Sequence, residues 1–154
     1  MRVFLDTNVL AAAFTTRGLC ADVVRYILAE HQMVVGEVVI EELQRVLTDR
    51  FKLPRSTTKD ILDLLRRQDV IPKPASIALR DPDDAWILGS AIDGRCEVLV
   101  TGDGDLLAVA DRAPLTIVNP RGFWDFVRKD RTRSSAARPR TACGPRTCRS
   151  RRIR

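Results

Sequence analysis

The sequence predicts an α/β domain built on a parallel sheet with helices on both faces. Short apolar runs recur at residues 3–5, 33–35, 69–71, 97–101 and 115–118. Stretches with apolar residues three and four apart, the helical period, lie between them. Strand alternating with helix in this way implies parallel strands whose faces are both covered.

Each element has its own signal. VFL at 3–5 suits a buried strand, and the polar triplet Asp6, Thr7 and Asn8 that follows it reads as a strand end and turn. From Cys20 to Glu30, Val23, Val24, Ile27 and Leu28 share one helix face. MVV at 33–35 is a short strand ending at Gly36, after which Val39, Ile40, Leu43, Val46 and Leu47 restore the helical period. Pro54 opens a helix carrying Ile61, Leu62, Leu64 and Leu65, and DVI at 69–71 is strand-like. DPDD at 81–84 is a helix start, with Asp81 as N-cap and Pro82 at the first helical position, where a missing N–H costs nothing. EVLVT at 97–101 is β-rich, TGDGD a tight glycine-punctuated loop, and LTIV at 115–118 a last strand before a helix near Pro120.

At 154 residues the chain suits one domain that buries roughly two thirds of its unfolded surface. The net charge of +6 is unevenly spread: residues 1–127 hold 15 Lys and Arg against 19 Asp and Glu, and residues 128–154 hold 11 against one. The expected organisation is therefore a mildly acidic domain over 1–127 and a basic tail over 128–154. The tail is rich in Arg, Ser, Thr, Ala and Pro, too poor in apolar residues to offset its ordering entropy, and is read as disordered. No apolar run approaches the ~18 residues a membrane span needs, and the N-terminal run is interrupted at Asp6 and lacks a basic leader. With one histidine, four cysteines and no CxxC pair, neither a zinc site nor a disulfide framework is supported, and the cytoplasm is the expected location.

In a parallel sheet, sites form where the strands end. Asp6 follows the first strand, and Asp103 and Asp105 follow EVLVT, so both loops leave the same edge. At 100° per residue, Glu42 lies on the flank of the apolar face of its helix, while Glu41 points to solvent within reach of Arg45. The same arithmetic places Asp84 on the stripe of Ile87, Leu88 and Ala91, with Asp83 somewhat off it. Asp6, Glu42, Asp84 and Asp103 would then converge, at a cost, because like charges raise one another's pKa. Hard oxygen ligands without His or Cys suit Mg²⁺ or Mn²⁺, and such a centre hydrolyses phosphodiesters. Taken singly, each acid also has a structural role open to it: a turn residue at Asp6 or Asp103, a dipole-complementing helix start at 81–84, a solvated helix residue at Glu42.

VFLDTNVL, EELQRVL, DPDDAWILGSAI and LVTGDGDLL, in that order, resemble the PIN-domain ribonucleases, especially the VapC-type toxins of toxin–antitoxin modules; the resemblance spans 1–127. It implies an α/β/α sandwich with a central parallel sheet, a Mg²⁺ or Mn²⁺ centre, cleavage of single-stranded RNA, a homodimer and a cognate antitoxin. The family's four acids fall on Asp6, Glu42, Asp84 and Asp103, and its polar supporting residues on Asn8 and Thr101, with Asp105 as a further ligand or support. Two serines frequent in the family are replaced here by Ala11 or Ala12 and by Gly36. The Arg-rich tail is outside the family pattern. An aspartyl phosphatase would want a second Asp where Asn8 stands. The alternatives are an RNA-processing nuclease of the same fold and a non-catalytic nucleic-acid-binding module that uses the tail.

Overall fold

A computed structural model describes the backbone of residues 1–73 and 82–136 and the side chains of 1–73 and 85–129. Cys143, Cys148, the Asp81 cap and the end of the basic tail lie outside the described residues. Five parallel strands form one sheet in the order β3-β2-β1-β4-β5: β1 (Arg2–Leu5), β2 (Gln32–Gly36), β3 (Asp69–Ile71), β4 (Val98–Val100) and β5 (Thr116–Val118). Each of the five predicted strands is present. The central ones are apolar on both sides, as helices on both faces require: Val3, Phe4, Leu5, Val34, Val35, Val98, Leu99 and Val100 are wholly buried. The edge strands β3 and β5 are three residues long, which limits pairing with other chains.

Among the described residues, seven α-helices connect and cover the strands: α1 (Thr7–Thr15), α2 (Leu19–Glu30), α3 (Glu37–Arg45), α4 (Arg55–Arg66), α5 (Pro82–Asp93), α6 (Gly104–Ala108) and α7 (Pro120–Ala136). The chain steps outward from β1 to β2 to β3, then α5 returns it to β4 on the far side of β1. Right-handed crossovers taken in opposite directions put helices on both faces. The site-forming switch point of the sheet therefore falls between β1 and β4.

Three readings of the sequence change here. Thr7 and Asn8 are not turn residues but the first turn of α1, a helix that the run of polar and β-branched residues hides and that forms because Val9, Leu10 and Ala11 are buried. TGDGD is not a tight loop throughout: Gly104 and Asp105 open α6, and Asp103 caps it. The last helix also passes the expected domain end at Val127 and runs to Ala136, through a segment with the strong helix formers Arg, Lys and Ala.

The amino edge of the sheet is tied by Arg2. Its Nη2 donates to Asp69 Oδ2 at 2.6 Å, its Nε to the Gly94 carbonyl at 2.7 Å, and its backbone N–H to Glu97 Oε1 at 3.1 Å. One side chain thus joins β1 to β3 and to the turn before β4. Because the ion pair is partly exposed, at 28% and 37%, its own share is small, and the part-buried bond to the Gly94 carbonyl adds to it. Arg2→Met is expected to cost about 1–2 kcal/mol in urea unfolding.

Candidate active site

Asp6 continues the ladder one residue beyond β1, its N–H donating to the Val100 carbonyl at 3.1 Å. It then turns as the N-cap of α1 without spending its side chain on the cap. An Asp at this position ordinarily accepts from the second or third N–H of the helix. Here the carboxylate instead accepts the Thr101 hydroxyl, Oγ1 to Oδ2 at 2.7 Å, from the end of β4. Asp6 is 2% exposed and Thr101 fully buried. Thr101 is fixed in turn by its N–H on the Val118 carbonyl, and its hydroxyl accepts the Asp103 N–H at 2.9 Å. One hydroxyl therefore joins the two acidic loops, a job for which β4 must place Thr101 beside the end of β1.

Asp103 is half-buried and caps α6, its Oδ1 accepting the Asp105 N–H at 2.8 Å. Glu42, half-buried on α3, reaches back to the start of α1: Thr7 Oγ1 donates to Glu42 Oε2 at 2.6 Å. Burial raises the Asp6 pKa above its ordinary value of 3.8; the Thr101 hydroxyl and the Thr7 N–H oppose this, and the negative charges of Glu42 and Asp103 add to it. Asp6, Glu42 and Asp103, distant in sequence, are thus brought within electrostatic reach of one another.

The other predicted positions are placed differently. Asn8 is exposed, and its side chain makes no hydrogen bond to another described residue; Asp105 is exposed and serves Asp103 through its backbone N–H. Asp84 lies in the first turn of α5, which packs on β2 and on α3, the helix that carries Glu42; its side chain is outside those described, as is that of Asp83. Among the described residues, no three His, Cys, Asp or Glu side chains gather closely enough to hold a metal ion. The donors present, carboxylates with hydroxyls behind them, nevertheless suit a hard divalent cation, and the like-charge crowding on the buried Asp6 is relieved by one.

The pairing of Thr7 with Glu42 is the contact that sequence reading missed. Its only local signal is a hydroxyl directly after the strand-end acid. At Gly36 the absent side chain is a packing matter: a Cβ there would stand 3.1 Å from both Phe4 Cζ and Ser90 Oγ, so any side chain at the β2–α3 corner would press on those two residues.

Fold and site together define a doubly wound parallel domain with one buried carboxylate and two acidic neighbours at the switch point of its sheet. The chain belongs to the PIN domain family, whose model matches residues 2–105. Among solved structures it is similar to VapBC2 from Rickettsia felis, solved bound to a DNA fragment from their promoter, with 19% identity, TM-score 0.56, and 77% of this chain and 98% of that one covered. It is likewise similar to FitAcB from Neisseria gonorrhoeae (17% identity, TM-score 0.55, covering 77% and 97%). A third is VapC20 from Mycobacterium tuberculosis, a sarcin-ricin loop cleaving toxin (15% identity, TM-score 0.53, covering 70% and 94%). At these identities the likeness is one of fold. No curated protein matches the chain. Among the described residues no helix is long and apolar enough to cross a membrane.

Proposed function

We propose that the chain is a metal-dependent endoribonuclease that hydrolyses phosphodiester bonds of single-stranded or loop RNA, and that it is the toxin of a toxin–antitoxin module. The observation that carries the reading is the buried Asp6 carboxylate at the β1–β4 switch point, with Glu42 and Asp103 acting on it. Membership of the PIN domain family supports nuclease chemistry.

A Mg²⁺ or Mn²⁺ ion held by Asp6, Glu42, Asp84 and Asp103 would supply, when bound, a water of lowered pKa and positive charge beside the departing oxygen. The chain's own part is orientation. Thr101 holds Asp6 Oδ2, Thr7 holds Glu42 Oε2, and the Asp105 N–H holds Asp103 Oδ1. Asp6, Glu42 and Asp103 are thereby each fixed by a neutral donor before substrate arrives, so little reorganisation of these three is needed during reaction. Asn8, exposed beside Asp6, is free to meet substrate.

Mixed with single-stranded RNA and Mg²⁺ or Mn²⁺, the purified protein is expected to yield defined fragments. Cleavage should stop on chelation with EDTA and return when Mn²⁺ is restored in excess; cleavage that persists in EDTA would rule out the metal reading. The similarity to VapBC2 and FitAcB supports a cognate antitoxin partner; the homodimer rests on the sequence resemblance alone. Growth arrest on induced expression, reversed by the product of an adjacent small gene, separates the toxin from an RNA-processing enzyme of the same fold.

A further inference from the structure

A cavity of about 530 Å³ lies between α4 and the outer side of α3 with its π-helical extension, Val46–Arg50. Arg55, Lys59 and Arg66 line it from α4, against a single carboxylate, Asp63. Their spacing of four and seven residues puts them on one helix face, and among the described residues none of the three has an ion-pair partner. Two neutral groups accompany them. Gln44 faces the cavity from α3, and Thr58, only 6% exposed, keeps a hydroxyl without a hydrogen-bond partner. A buried hydroxyl is rarely left unpaired. The N-terminus of α4, where the cavity includes Arg55, has no side-chain cap, so its first N–H groups and the positive end of its dipole are unspent.

The cavity is not part of the acidic site. Gln44 lies about 200° around α3 from Glu42, so the two open on opposite sides of a helix roughly 10 Å across. We infer that the α3–α4 cleft is a second phosphate-binding site, which takes successive backbone phosphates of the RNA strand away from the scissile bond. This rests on the nuclease reading for the identity of the strand. A row of cations along one helix face, two of them guanidiniums whose N–H groups donate to phosphate oxygens two at a time, suits a polyanion better than a peptide with scattered carboxylates.

The test compares the full-length protein with Arg55→Gln/Lys59→Gln/Arg66→Gln, and with Arg17→Gln/Arg112→Gln/Arg121→Gln as an equal loss of exposed charge elsewhere. The probe is a fluorescent single-stranded RNA of about 12 nucleotides, titrated in EDTA so that it is not cut, between about 50 and 200 mM salt. The cleft variant should bind roughly ten- to hundredfold more weakly at low salt, and its log Kd against log salt slope should fall by about two, the loss of three phosphate contacts. The control variant should keep the parental slope. An unchanged slope in the cleft variant, or equal losses in both variants, would overturn the inference. So would unchanged RNA binding accompanied by loss of a Glu-rich peptide, which would make the cleft a protein-docking site. If the parent binds RNA through the cleft yet cuts none with Mg²⁺ or Mn²⁺, the nuclease reading fails while the site stands.

Discussion

Asp6→Asn should lower metal-dependent RNA cleavage by about 10³-fold or more, since a loss of roughly 4 kcal/mol of transition-state stabilisation is expected when a metal centre is deprived of its most buried charge. Asn keeps the shape and can still accept the Thr101 hydroxyl, so the fold should be unharmed. Stability offers a second readout. The Asp6 pKa is raised in the folded protein, so the folded state favours the protonated carboxyl. The resulting destabilisation is absent below the unfolded value of 3.8, grows as pH rises through the higher folded value, and is fully present above it. In metal-free buffer at pH 7, Asp6→Asn should therefore melt above the parent, with the difference shrinking as pH falls toward 3.8. Metal should reverse the order: at about 100 times its Kd it stabilises the parent by ~2.7 kcal/mol and leaves the variant nearly unmoved. A variant that cuts RNA at the parental rate would remove Asp6 from the chemistry.

Thr101→Val tests the hydroxyl that joins the two loops. The substitution is close to isosteric in a fully buried position, but it leaves Asp6 Oδ2 without its donor and the Asp103 N–H without its acceptor. A loss of about 1–3 kcal/mol in unfolding free energy is expected. Cleavage should fall roughly ten- to hundredfold, the scale of 1.4–2.8 kcal/mol in the barrier. Because the Thr101 hydroxyl holds the Asp6 pKa down, its removal should also move the acid limb of the pH–rate profile upward. Thr101→Ser should restore rate, stability and profile together. If Thr101→Val behaved as the parent in all three, the hydroxyl would be a passive occupant of the β4 end.

The parallel alternation was legible because each central strand is apolar on both faces and each long helix repeats at three and four residues; both are local patterns. The acids at strand ends were legible for a related reason. A carboxylate after VFL, and another after VLVT, must emerge at the same edge once the strands are parallel. Helix α1 was not legible, because Thr7, Asn8 and Val9 are poor helix formers individually and only the burial of Val9 and Leu10 decides in favour of helix. Nor was α6, where Gly104 and Asp105 read as a turn until the Asp103 side chain is seen to cap them.

Strand–helix order, the charge division of the chain and the identity of the acids that stand at strand ends are carried by the order of residues alone. The strand order 3-2-1-4-5, and with it which ends meet, arises only in the assembled sheet. Tertiary structure also decided that Thr101 serves Asp6 from 95 positions away, that Thr7 serves Glu42 from 35, and that three cations on α4 face a cleft against α3. Periodicity reports which face of an element is buried. It carries no information about which partner lies against that face, and a hydrogen bond or a shared cleft is a property of the pair.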